Sequence, residues 1–213
     1  MDVPRSHIEA PPVIPIGASD IPVSERLPAL SRDILIGVRD REPGALATFF
    51  EAYFDRVFAL VFRLLGNRPG AEDVTQEVFY KVHRAAHRLD PERDPMPWLA
   101  AIAHNACRDH WRSGAYRLDR RSASIEQQPA VSARLAARGD PEGEALAAER
   151  ESLVQAAILE LPETLRAPVV MHDYQGLSHE EVAEALGIRH DAARKRYSRA
   201  LAALGQRLRE MLG

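Results

Sequence analysis

The stretch "LSHEEVAEALGIRHDAARKRYSRAL", residues 177–201, decides how this chain is read. Ser178 followed three residues later by Glu181 has the spacing of a capping box, in which each side chain satisfies a backbone N–H at the start of a helix. Val182, Ala183 and Leu186 then line one face, and Gly187 ends the helix. Ile188 can plug the corner. A second helix is expected from about His190-Asp191, where the Asp191 carboxylate suits the positive end of the helix dipole. A short helix, a glycine turn and a second helix are what a helix-turn-helix requires. On the second helix Ala193, Tyr197, Ala200, Leu201 and Leu204 share one side. Arg194, Lys195, Ser198 and Arg199 take the other, with Arg196 at its edge. The small Ala183 and Ala193 let the two helices approach closely. A basic helix face is often merely solvated. Here the cations lie on the exposed face, in the first half of the second helix, after a glycine turn, and that placement favours contact with the major groove.

Outward from this stretch, residues 183–213 hold seven Lys or Arg against three acids, although the whole chain carries a net charge of −3. A basic footprint is therefore local and hidden by the average. With 213 residues, 46% hydrophobic and 28% charged, the composition is that of a soluble globular protein with one domain or two small ones. No run of 18 apolar residues exists to span a membrane, and a cytoplasmic location is expected. The single cysteine, Cys107, excludes an internal disulfide framework and suits a reducing compartment.

Residues 1–30 contain six prolines without helical or strand periodicity and are expected to form a disordered tail; they lack the basic start and apolar stretch of a signal peptide. Helical pattern fills 31–112. Residues 113–143 turn to Ser, Gln, Gly, Pro and Arg, a linker composition. Helical pattern returns over 144–213, broken at Leu161-Pro162 and at Gly176. The expectation is an all-α protein: a helical bundle and a helix-turn-helix domain joined by a flexible linker.

Within 31–112, "ALATFFEAYFDRVFALVFRLLGN" (45–67) reads as a strongly apolar helix ending at Gly66-Asn67. In the next helix, 71–89, Val74, Val78, Val82, Ala86 and Leu89 form the buried stripe. Asp73, Gln76 and Glu77 cluster opposite, which alone is consistent with a solubilising surface. The proline-rich "DPERDPMP" (90–97) cannot be helical throughout. Residues 98–121 carry five arginines against two aspartates, interleaved with Trp98, Trp111 and Tyr116. Arginines beside aromatics suit unpaired nucleic acid, because bases stack on flat rings while cations follow phosphate; Trp98 and Ile102, however, stand at core spacing. His83 and His87 are four apart on a helix, with His104, Cys107 and His110 further on, but no HExxH or paired CxxC accompanies them, so no metal or other cofactor is expected. No nucleophile elbow, phosphate loop or dinucleotide fingerprint appears, which argues against an enzyme or a small-molecule substrate.

Taken together, "RLLGN" (63–67), "AEDVTQEVFYKVHRA" (71–85), "WLAAIAHNACRDHWR" (98–112) and "LPETLRAPVVMHDYQGLSHEEVAEALGI" (161–188) with the basic helix after it resemble the extracytoplasmic-function class of sigma factors of bacterial RNA polymerase. The resemblance runs from about Ser31 to Arg112 and from about Glu149 to Leu212. It implies a region 2-like and a region 4-like domain and, as partners, the polymerase core (the β′ clamp helices and the β flap) and promoter DNA; an anti-sigma factor is a further partner it allows. Asp73, Gln76 and Glu77 match residues that dock on the clamp helices. The loop with Asp90, Pro91, Glu92, Arg93 and Asp94 matches one that captures a flipped base of the minus-ten element. Asn105 matches a neighbour of that base, with Arg108 and Arg112 on nearby phosphates. Arg194, Lys195, Ser198 and Arg199 match readers of the minus-thirty-five element. The chain departs from the family at Leu89-Asp90-Pro91, where Phe-Arg-Gly is usual, and at Arg189–Ala193, where the recognition helix usually opens Ser-x-Gly-Thr-Val. The alternative is a stand-alone helix-turn-helix regulator that never binds the core.

Overall fold

The structure is a computed structural model that describes residues 30–113 and 141–212, with side chains described for 30–113 and 149–211. The expected tail and linker fall almost wholly outside the described residues. The regular structure of the described residues is all helix, with no strand among them.

Each boundary has a local cause. Helix α1 (Arg32–Arg39) starts where Ser31 Oγ accepts from Ile34 N at 3.4 Å. Helix α2 (Pro43–Leu65) opens on a proline, whose missing N–H costs nothing in a first turn. It ends at Gly66, whose φ of 78° is left-handed and suits glycine. Asn67 caps α3 (Arg68–Ala85) by accepting from Gly70 N at 2.7 Å. A 3₁₀ turn, Ala86–Arg88, closes that segment, so the helix expected to reach residue 89 tightens over its last turn. Helix α4 covers Met96–Arg112.

The second half holds α5 (Pro141–Glu160), α6 (Glu163–Val169), α7 (His179–Leu186) and α8 (His190–Leu212). Pro168 lies inside α6 and can give no N–H to the ladder. The next residues, Val170–Tyr174, wind as a π-helical turn.

Helices α2, α3 and α4 pack on one another, with α1 against α2. Val74, Val78, Val82, Ala86 and Leu89 are all buried in this bundle. In the second half α8 is the spine against which α5, α6 and α7 pack.

The two halves are also in contact. Helix α4 lies against α7, and α2 lies against α5, α6 and the π-helical turn. One buried apolar cluster runs from Leu35 to Leu204. At the seam, a Cβ on Gly66 would come within 2.5 Å of Leu159, so a glycine is needed both for the cap and for this approach. The buried guanidinium of Arg166 donates to the carbonyls of Leu64 (2.5 Å), Leu159 (2.5 Å) and Leu161 (3.0 Å). One cation from the second half thereby ties the end of α2 to the end of α5. Arg63 pairs with Glu151 at 2.9 Å and covers the ring of Tyr174 at 3.9 Å.

Candidate nucleic-acid and protein interface

The helix-turn-helix forms as its spacing demands. Glu181 N donates to Ser178 Oγ at 3.2 Å and Ser178 N to Glu181 Oε2 at 2.8 Å, completing the capping box. Gly187 makes the turn with φ of 63°. Ala193, Ala200 and Leu204 are buried on the inner face of α8. Arg194, Lys195, Ser198 and Arg199 are exposed, and Arg196 at the edge is half-buried. Asp191, Arg194, Lys195 and Ser198 line a shallow depression on this face.

The orientation of α8 is fixed from below. Tyr197 OH donates to Asp173 Oδ1 at 2.8 Å. The rings of His172 and His179 stack at 4.3 Å and both lie against Tyr197, at 4.8 and 5.0 Å. His172 Nδ1 lies 2.6 Å from the Leu177 carbonyl, which makes it the protonated ring nitrogen. Burial, then the neighbouring His172, Arg194 and His190, hold His179 below the usual histidine range. Burial also raises the Asp173 carboxyl, an effect that the Tyr197 hydrogen bond and His172 partly offset. This histidine–tyrosine–aspartate support carries no periodicity in sequence and was not foreseen.

The second surface is the 90–97 loop and α4. Asp90 Oδ1 accepts from Glu92 N at 3.0 Å, folding the loop tip into an Asx turn. Asp94 Oδ1 accepts from Met96 N at 2.9 Å, a second Asx turn that leads into α4. Pro95, Met96 and Pro97 are buried, whereas Glu92, Arg93 and Asp94 are exposed and Pro91 half-buried. Glu92 pairs with Arg32 of α1. Arg93 forms a two-pronged ion pair with Glu184 of α7, at 3.1 and 2.8 Å. Asn105, Arg108 and Arg112, spaced three and four apart, are exposed on α4. Trp111 is buried and cannot serve as a base platform; Trp98 is half-buried against the core, as its spacing suggested. His104, beside them, is held down to about 4 by burial and by the cations of Arg108 and Arg196. Tyr116 lies outside the described residues.

The third surface is α3 with its neighbour α2. Asp73, Gln76 and Glu77 are exposed as expected. Glu77 pairs with Lys81 at 2.8 Å, and Lys81 reaches Asp109 of α4 at 3.3 Å. Beside them stands an apolar patch that sequence reading missed. Tyr80 is 61% exposed and Phe54 is 46% exposed. Phe54 stacks on Phe79 at 5.8 Å and on Phe58 at 6.4 Å, and Phe58 stacks on Phe62 at 6.2 Å. Residues 50, 54, 58 and 62 recur every four positions, so the signal existed; in so apolar a helix it could not be told from core.

His83 and His87 are exposed, and no group of three metal-ligating side chains comes together among the described residues.

Comparison with known proteins bears on all three surfaces. The family described as Sigma-70 region 2 matches residues 49–117, and that described as Sigma-70, region 4, matches residues 151–204. Two solved structures are similar over most of the chain. CnrH, solved in complex with the cytosolic domain of CnrY, is 22% identical, with a TM-score of 0.59 over 84% of this chain and 97% of that one. The sigma factor RpoE, solved with the anti-sigma factor NepR from Bartonella quintana, is 17% identical, with a TM-score of 0.59 over 76% of this chain and 96% of that one. No curated protein matches the sequence.

Proposed function

Because the chain belongs to the sigma-70 family, carrying region 2 and region 4 as in the extracytoplasmic-function type, we propose that it gives RNA polymerase core its promoter specificity through the three surfaces above. The observation that carries this reading is their coexistence on one chain. A regulator that acts alone needs the basic face of α8 but has no use for an acidic and aromatic patch on the far helices.

Each surface has chemistry suited to its task. Asp73, Gln76 and Glu77 offer carboxylates and an amide around Phe54 and Tyr80, an apolar centre with a polar rim, which is the usual anatomy of a protein interface. The partner is the clamp-helix surface of the polymerase, and the β flap is the partner of the C-terminal half. Arg194, Lys195, Ser198 and Arg199 enter the major groove of the upstream element, where arginine reads guanine by two hydrogen bonds. The 90–97 loop takes a base from the downstream element once the strands part, with Asn105 beside it and Arg108 and Arg112 on phosphate. The chain has no catalytic task of its own. Among the described residues no helix is long and apolar enough to cross a membrane.

The test is Asp73→Lys. The Asp73 side chain is exposed and opposite the buried Val74/Val78/Val82 stripe, so the change leaves the fold intact, with a stability effect within about 0.5 kcal/mol. At a complementary interface the reversal costs several kcal/mol, so core-polymerase binding should weaken by at least about a hundredfold and promoter-directed transcription should stop. Unchanged core binding by the folded variant would return the chain to the stand-alone regulators.

A further inference from the structure

Apolar burial is non-directional, so it seats a helix without fixing its rotation about its own axis. Rotation matters most for α8, whose outer face is the one aimed at duplex DNA. Between His190 and Ala200 its one large apolar side chain is Tyr197; Ala193 and Ala200, buried on either side of it, end at Cβ. Two alanines make a smooth seat. Direction comes from the Tyr197 hydroxyl, which donates to Asp173 Oδ1 at 2.8 Å. It comes also from the Tyr197 ring, which lies against His172 and His179 at 4.8 and 5.0 Å. His172 is itself held by the Leu177 carbonyl at 2.6 Å, and His179, the first residue of α7, stacks on it at 4.3 Å. One tyrosine thereby references α8 to both α7 and the π-helical turn.

Asp173 is a costly residue for stability alone. Its Oδ2 is buried with no hydrogen-bond partner among the described residues, and burial pushes its carboxyl above the usual range. It also lies in the π-helical turn Val170–Tyr174, a winding that is rare and recurs at functional sites. Both costs fall on the group that receives the tyrosine. The return is in angle. Side chains reach about 6 Å from a helix axis, so a rotation of roughly 10° moves their ends by about 1 Å. Hydrogen-bond lengths tolerate a spread of only about 0.5 Å.

We propose that Tyr197 and Asp173 are positioning residues for base reading: their hydrogen bond, with the ring held by His172 and His179, fixes the rotation of α8 and so decides which base edges Arg194, Lys195, Ser198 and Arg199 reach. The proposal rests on the promoter-binding reading above. It assigns upstream specificity to two residues that stand behind the reading face.

The experiment uses the full chain with core polymerase. A promoter is first picked from a genomic fragment library by the wild-type protein, and one turn of duplex over its upstream element, about 10 base pairs, is randomised. Wild type, Tyr197→Phe, Asp173→Asn and the double variant Tyr197→Phe/Asp173→Leu select from this pool, and the bound members are sequenced. Melting is followed by circular dichroism. The double variant exchanges both partners for apolar side chains of similar size, which leaves stability nearly unchanged. It should melt like wild type, yet discriminate between bases at least about fivefold less sharply at one or more positions, the low end of what one two-pronged contact contributes. Tyr197→Phe should lose discrimination in the same way. Asp173→Asn keeps an acceptor for the hydroxyl and should select the wild-type sequence. Core binding and affinity for non-specific duplex should not change in any variant, since every cation is kept. A double variant that selects as sharply as wild type, one that is unfolded, or an equal loss in Asp173→Asn would overturn the assignment. Selection of no upstream sequence by wild type itself would sink the promoter reading, and the assignment with it.

Discussion

Arg199 stands exposed on α8, one turn beyond Lys195, with the buried Ala200 beside it. Its replacement by alanine removes nothing from the core. If its guanidinium reads a base edge, Arg199→Ala should cost about 1–3 kcal/mol at one upstream position and relax specificity there, as measured on a panel of single-base variants of the upstream element. A uniform loss over all sequences with a shallower salt dependence would make it a phosphate contact instead. Single residues on this helix were legible because an amphipathic helix sorts side chains by 100° steps, and Ala193, Ala200 and Leu204 are buried where that rule places them. Arg166 was not legible. A lone arginine in "LPETLRAPVV" gives no sign that it will be buried on the carbonyls of Leu64, Leu159 and Leu161, because its partners lie up to 102 residues away.

Among the elements, α4 serves three masters: it contributes Leu99, Ala103 and Cys107 to the core, exposes Asn105, Arg108 and Arg112, and rests on α7. His104 sits where these roles meet, and its neutral form is the one the fold prefers. A histidine whose folded-state value is depressed favours the unfolded chain once protons are available. Stability is therefore full above about pH 6.5, declines as pH falls, and is lost by up to about 3 kcal/mol near the folded value of about 4. His104→Gln should remove that part of the slope: chemical denaturation between pH 7 and pH 4.5 should show a smaller loss for the variant than for wild type. Equal slopes would mean that His104 is solvated in both states. The sequence located α4 to within two residues at its start, through its proline-bounded loop. It could not disclose the interface on α7, since both helices present ordinary mixtures of apolar and polar side chains there.

Across the whole molecule, composition marked two runs of helix but was silent on their contact. Contacts such as Arg93–Glu184 and Gly66–Leu159 join residues some ninety positions apart and leave no period in either segment. They have a measurable result. If a protease site is inserted near residue 125 and cleaved, the two fragments should still elute together on gel filtration at low salt, because the seam carries buried apolar area as well as ion pairs. Separate elution at low salt would show that the seam does not hold without the covalent link. The pairing of Gly66 with Leu159 and of Arg166 with the end of α2 also sets a limit on recombination. A chimera that grafts the second half of a relative onto this bundle keeps the fit at the seam only where it brings a side chain of leucine's shape to the space over Gly66. Hybrids that bring a bulkier side chain to that space should unfold at a lower temperature than either parent, because overpacking a tight seam strains both faces.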